Sequence, residues 1–379
     1  MFPKVNYNKE ILLILRTPPP FGGGEIIHQS LFQHYSKNSD YSVLVLSSQK
    51  RNKGNQSAFA IWKLLEFTWL LIKISFIFCF KKPRLIFLAM GKAFPHFLRD
   101  SMLVWIAKIM SIPVAAEIHG SGLYFANRFL LGRYYAKLVC NNMVSIRVLG
   151  DSIQKEFASF GINNTIIIDN GVSVSPSRSH NSFTNNPGFN ILYAGTIGKH
   201  KGFDLVMNAC NKLKREPNKF TIHCLGQWAS DQYQRDSMSF IQESNLSQHF
   251  VFYGLRHGEE KWDIFRTCDV LVLPSYNEGQ PLVILEAFAF GLAVISSSVG
   301  AIPDTVKHGV NGLLIPPGSE DGLYDSIYAL INNKSLLIQM QNTNLEAYDK
   351  QYSLAQFLAN YEHWIQECAA KKSGKQKQL

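Results

Sequence analysis

Six cysteines in 379 residues stand singly, at Cys79, Cys140, Cys210, Cys224, Cys268 and Cys368, with no CxxC pair. That excludes a disulfide scaffold and a zinc ribbon. Residues 1–8 carry no secretory pattern either, so the expected compartment is the reducing cytoplasm. Dense Lys/Arg runs and nucleic-acid recognition motifs are also missing, which argues against a nucleic-acid partner. Charged residues make up only 17% of the chain. The longest apolar stretch, Phe59–Phe80, is interrupted by Lys63, Glu66 and Lys73. A spanning helix wants about 20 nearly uncharged residues. Those three charges fall within an arc of about 80° on a helix, so Ala58–Phe80 reads as amphipathic: buried against a sheet, or docked at a membrane interface.

What the chain does have is a globular balance, with 46% apolar residues, enough for two or three domains. Its net charge of +10 is unevenly placed. Residues 1–180 hold 21 Lys+Arg against 9 Asp+Glu, and residues 181–379 hold 17 against 19. The N-terminal half is thus +12 and the remainder −2. A basic face of that kind suits anionic lipid or a phosphate-bearing substrate.

Strand-like and helix-like runs alternate throughout. Strands are predicted at Ile11–Leu15, Ser42–Leu46, Leu85–Leu88, Val114–Glu117, Val144–Val148 and Thr165–Ile168. The second half restarts at Asn190–Ala194 and runs through Phe220–Leu225, Phe250–Tyr253, Val270–Leu273, Ala293–Ser296 and Gly312–Ile315. Strict β-α alternation means parallel sheets with helices on both faces. Val172–Gly188, rich in Ser, Asn and Pro, has the composition of a linker. The expectation is two doubly wound α/β domains, at 1–175 and 188–350, followed by a C-terminal helix within 351–379 that returns to the first domain.

Four segments carry candidate chemistry. Pro18–Glu25 follows the first strand, and its Gly22-Gly23-Gly24 run suits tight packing and phosphate contact alike. It is neither a GxGxxG turn nor a Walker loop, which argues against a nicotinamide-dependent oxidoreductase. Glu117-Ile-His119-Gly120 ends the fourth strand, where open α/β sheets place their ligands. In Gly195-Thr196-Ile-Gly-Lys199-His200-Lys201-Gly202, three basic residues precede a helix N-terminus whose dipole opposes cations, an arrangement that calls for an anion. The fourth segment is Pro274–Gly291. Pro281 is expected at the first helical position, the amides of Leu282 and Val283 are free for an anion, and Glu278 and Glu286 keep a Glu-x7-Glu spacing. A carboxylate in the apolar run Leu282–Phe290 is costly without a partner.

With the Gly-Lys-His-Lys-Gly turn, the Glu-x7-Glu block resembles the retaining nucleotide-sugar glycosyltransferases of the GT-B fold, family 4. Asp169-Asn-Gly-Val172 and Gly309–Gly318 extend the likeness over nearly the whole chain. The resemblance implies a cleft between two Rossmann-like domains, donor on the C-terminal one and acceptor on the N-terminal one. It places Glu286 at the donor ribose, Glu278 and Gly279 at the sugar, and the amides of Leu282 and Val283 with Lys201 at the diphosphate. Gly23, Gly24 and Thr196 would line the donor site, and His119 would act against the sugar, with His119, Lys201 and Glu278 as the catalytic set. No metal or other cofactor is implied. One departure stands out: the family's Arg after the first glycine of the second-domain turn is here Thr196, leaving Lys199, His200 or Arg16 to replace it.

The expected function is retaining transfer of a sugar from a UDP- or GDP-sugar to an acceptor hydroxyl. The expected acceptor is a lipid-linked glycan of surface polysaccharide assembly, at the inner face of the cytoplasmic membrane. A nucleotide-sugar 2-epimerase or a non-enzymatic, degenerate subunit of the same fold are the alternatives.

Overall fold

In the computed structural model the described residues are 11–18, 22–38, 40–45, 71–174 (apart from 73, 77, 79, 81, 119, 121 and 122), 188–217 and 219–375. They form two compact units. The first comprises Met1–Leu149, Ile153–Ile168 and Leu358–Leu379, and the second Gly150–Ser152 and Asp169–Phe357.

The first unit is built on six parallel strands: β1 (Ile11–Leu15), β2 (Tyr41–Val45), β3 (Leu85–Met90), β4 (Val114–Ile118), β5 (Ser145–Val148) and β6 (Thr165–Ile167). Their order is β2-β1-β3-β4-β5-β6. Every residue of β1, β3, β4 and β5 is buried, as expected of central strands covered on both faces. From Leu358 onward the last helix, Leu354–Lys375, belongs to this unit. Its Trp364 and Tyr361 pack edge-on against Phe87 of β3, and Trp364 Nε1 donates to Ser145 Oγ at 3.0 Å.

The second unit repeats the plan with β7 (Phe189–Ala194), β8 (Phe220–Leu225), β9 (Phe250–Gly254), β10 (Val270–Leu273), β11 (Ala293–Ser297) and β12 (Gly312–Ile315). Their order is β12-β11-β10-β7-β8-β9. Ile191, Tyr193, Val270, Val272 and Ile295 meet Phe203, Val206 and Cys210 of helix Phe203–Leu213 on one face. Leu192, Leu271 and Val294 meet Ile284, Leu285 and Phe288 of helix Leu282–Ala289 on the other. The α/β class and the two doubly wound sheets are those expected.

All twelve expected strands are present, within two residues at each end. Helices the sequence does not announce include Leu130–Cys140 and Asp231–Glu243, which complete the alternation, and Lys334–Ala347. Asp231–Glu243 buries only Ser237 and Ile241, too few apolar positions for a periodic signal. Most of the expected amphipathic segment Ala58–Phe80 lies outside the described residues. Within 71–80 the described residues are helical, with Ile74 and Phe78 buried and Ile72, Phe76 and Phe80 exposed.

Candidate functional site

In the second unit the strand order reverses between β7 and β10, which lie side by side and are each followed by a turn at the carboxyl end. A doubly wound sheet opens a crevice at such a reversal. The turn after β7 is 195–202 and the turn after β10 is 274–281, so two motifs about 80 residues apart in sequence meet there. Tyr276 N donates to His200 O at 3.2 Å, joining the two directly. Gly202 makes the approach possible. Its φ of +72° lies in the left-handed region, and a Cβ there would collide with the Pro274 carbonyl.

The contact carries opposite charges. Lys201 Nζ lies 2.5 Å from Glu278 Oε1, with side-chain exposures of 25% and 11%. An ammonium has three donors, and one used on Glu278 leaves others for further oxygens. Lys199 and His200 are exposed beside it, as is Thr196, whose carbonyl accepts from Tyr193 OH at 3.1 Å. Gly279 O accepts from Ala301 N at 2.9 Å, fastening the Glu278 loop from behind.

Helix Leu282–Ala289 starts from this loop. Pro281, expected as the first helical residue, instead caps it with extended backbone (φ −66°, ψ 125°), because its ψ turns the chain from the loop into the helix. Ile284 N is the first amide of the turn to return to Pro281 O, at 3.1 Å. The amides of Leu282 and Val283 stand ahead of it at the positive end of the helix dipole.

Glu286 lies one turn further on, and its carboxylate has a cation after all. Lys261 Nζ, from helix Gly258–Arg266, sits 2.6 Å from Glu286 Oε1. The ammonium also lies over the Trp262 ring, 4.7 Å from its centroid. Sequence reading found no cation for Glu286 because the partner is 25 residues upstream on a separate helix. Only one carboxylate oxygen is engaged, leaving the other free to accept.

Gln280, 5% exposed, was likewise missed. Its Oε1 accepts from Asn170 N at 2.6 Å, and its Nε2 donates to Asp169 Oδ1 at 2.6 Å and Thr305 Oγ1 at 3.0 Å. The Asp169–Asn170 motif thus braces the Glu278 loop through a buried amide.

Residues 178–347 match the model of the family described as glycosyl transferases group 1. An uncharacterized glycosyltransferase of Methanocaldococcus jannaschii is 28% identical over 227 residues, 60% of this chain and 61% of the relative. The match thus spans about three-fifths of that curated relative's length. Anabaena HepE, solved in complex with UDP, superposes with a TM-score of 0.73 at 16% identity, over 94% of this chain and 99% of that one. A lipopolysaccharide outer core galactosyltransferase, WaaB, gives 0.71 at 16% identity over 94% and 99%. The fold is GT-B.

In the first unit Gly23 and Gly24 open helix Gly23–Tyr35, with Gly22 as its cap. Arg16, at the end of β1, pairs with buried Asp100, which also accepts from Gly91 N at 2.9 Å and from Arg99 Nε at 2.8 Å. His119 lies outside the described residues. Two positions before it, Glu117 (1% exposed) takes Arg147 Nη1 at 2.8 Å on one oxygen and His28 Nε2 on the other. His28 Nδ1 reaches Arg16 O at 2.9 Å. His28, Glu117 and Arg147 therefore join the ends of β1, β4 and β5, a linkage that three separate positions do not advertise.

Proposed function

We propose that this chain is a retaining glycosyltransferase of family 4, moving a sugar from a nucleoside diphosphate sugar to an acceptor hydroxyl. The observation that carries the reading is the Lys201–Glu278 pair at the strand reversal, beside the unspent amides of Leu282 and Val283. These are an ammonium and two helix-start donors in one loop system, the equipment for a diphosphate leaving group. Lys201 and the two amides bind the diphosphate, and no metal is needed in this role. Glu286, steadied by Lys261, offers its free oxygen to the ribose. Glu278 and Gly279 contact the transferred sugar, and Thr196 lines the donor site. By the resemblance, Gly23 and Gly24 are donor-binding residues and His119 a catalytic one. Thr196 supplies no charge where the family has Arg, so Lys201 carries the cationic contact.

Of the uridine and guanosine diphosphate sugars, the UDP bound by HepE favours the uridine donor, and the lipopolysaccharide enzyme favours a lipid-linked glycan acceptor in polysaccharide assembly. The chain then works at the cytoplasmic face of a membrane.

Thermal unfolding against a panel of nucleotide-sugars tests the reading. A donor at 100 times its Kd adds about 2.7 kcal/mol, a clear shift in midpoint. Glu286→Ala should lose about 1.5–3 kcal/mol in transfer, the scale of a charged hydrogen bond. No shift with any nucleotide-sugar, or conversion of donor to its 2-epimer with no acceptor present, would overturn it.

A further inference from the structure

Among the described residues the first unit carries 13 exposed large apolar side chains and the second unit six. In the second they are scattered singly, which is ordinary. In the first they fall into stripes. On helix Phe94–Ile109, the exposed Phe94, Leu98, Met102 and Ile109 and the half-buried Trp105 lie within an arc of about 80°. On helix Leu130–Cys140, Leu130, Leu131 and Tyr134 lie within about 100°. Leu130 and Leu131 are each 85% exposed, and Ile109 is 81% exposed. The two helices are neighbours: Ser101 Oγ and Tyr135 OH are 2.5 Å apart, and Phe97 packs 6.2 Å from the Tyr135 ring.

Charge says what covers them. Residues 81–141 contain nine Lys+Arg and two carboxylates, Asp100 and Glu117. Both carboxylates are 1% exposed and already paired with Arg. The outer surface of this segment is therefore cationic with no exposed acid. Its cations sit at the stripes, with Lys108 Nζ 5.2 Å from the Trp105 ring centroid and the Arg128 guanidinium 5.6 Å from that of Phe129. A protein partner would ordinarily present charges of both signs; a one-signed surface with an apolar, aromatic stripe matches a lipid interface with anionic headgroups. No described helix is long and apolar enough to cross a membrane.

We propose that the face of the first unit formed by helices Phe94–Ile109 and Leu130–Cys140 docks on an anionic phospholipid bilayer, apolar stripes inserted and Lys108, Arg128 and Lys137 at the headgroups. The proposal goes beyond the transfer reaction and does not depend on it, since a chain inactive in transfer would still bind. Co-sedimentation with vesicles of phosphatidylcholine and phosphatidylglycerol in equal parts tests it, with pure phosphatidylcholine alongside. Binding should appear only with the anionic vesicles and weaken on the order of tenfold as salt is raised to screen the surface. Lys108→Gln, Arg128→Gln and Lys137→Gln should each lower the partition coefficient roughly fivefold. The pair Leu130→Ser and Leu131→Ser should lower it at least as much without changing the unfolding midpoint, because both side chains are already in water. Three results would overturn the proposal: no binding at low salt, equal binding to neutral vesicles, or a concentration-dependent dimer that the leucine pair dissociates.

Discussion

At the scale of single residues, the candidate site is an economy of carboxylates and ammoniums. Lys201 with Glu278, and Lys261 with Glu286, are each joined by one bond between partly buried groups, leaving each member further capacity. The sequence made the carboxylates visible through their spacing and the apolar run around Glu286. It concealed their partners, because an ion pair is chosen by the fold and leaves no mark at fixed spacing. Lys201 and Lys199 separate on this ground. Lys199 is exposed, whereas Lys201 is held by Glu278, in the loop that leads into helix Leu282–Ala289. Lys201→Ala should cut kcat/KM with a nucleotide-sugar donor by about 1.5–3 kcal/mol, a charged hydrogen bond's worth. Lys199→Ala should cost under about 1 kcal/mol, as exposed charges do. Steady-state kinetics on the two variants decides it, and a larger loss for Lys199→Ala would show the diphosphate held by the neighbouring cation.

At the scale of elements, hydrophobic runs and glycine turns located every strand, since buried parallel strands are nearly continuous Val, Ile, Leu and Phe. Some helices escaped, the largely polar Asp231–Glu243 above all, and so did polar cross-links between strands. One such link spans β7, β8 and β9: His223 Nδ1 meets Tyr253 OH at 2.8 Å and Nε2 meets Asn190 Oδ1 at 3.1 Å. Burial lowers the pKa of His223 below its ordinary value of 6.5. The sign follows from proton counting. Above pH 6.5 the ring is neutral whether the chain is folded or not, and the link is intact. As the pH falls through 6.5 the unfolded chain takes up a proton that the folded chain resists, so stability drops by at most about 1.4 kcal/mol per pH unit until the folded pKa is reached. His223→Gln removes this titration. Urea denaturation from pH 7 to pH 5 should therefore find the stability gap between wild type and variant narrowing with acid. A gap constant over that range would mean the imidazole titrates normally where it lies.

At the scale of the whole molecule, the division of charge already visible in the sequence corresponds to a division of surface. The first unit shows cations and apolar stripes, while the second sets the Lys201–Glu278 pair at a strand reversal, in the loop that leads into the helix carrying Leu282, Val283 and Glu286. The alternation of strands and helices foretold two doubly wound sheets, but the face each turns to solvent depends on which helix side packs inward, and that took the structure to see. If the second unit alone supplies the diphosphate contacts, a nucleoside diphosphate without its sugar should protect that unit first. Hydrogen exchange with and without UDP or GDP at saturating concentration should slow the amides of 196–203 and 279–286 by about tenfold or more, since a bound anion occupies the donors at the helix start and raises the cost of local opening. The amides of β3 and β4, deep in the other sheet, should exchange at unchanged rates. Leu282 and Val283 are the decisive pair, because their donors have no partner within the helix they begin. Protection that leaves those two unchanged while appearing at Gly23 and Gly24 would move the diphosphate to the glycine turn of the first unit and reverse the assignment.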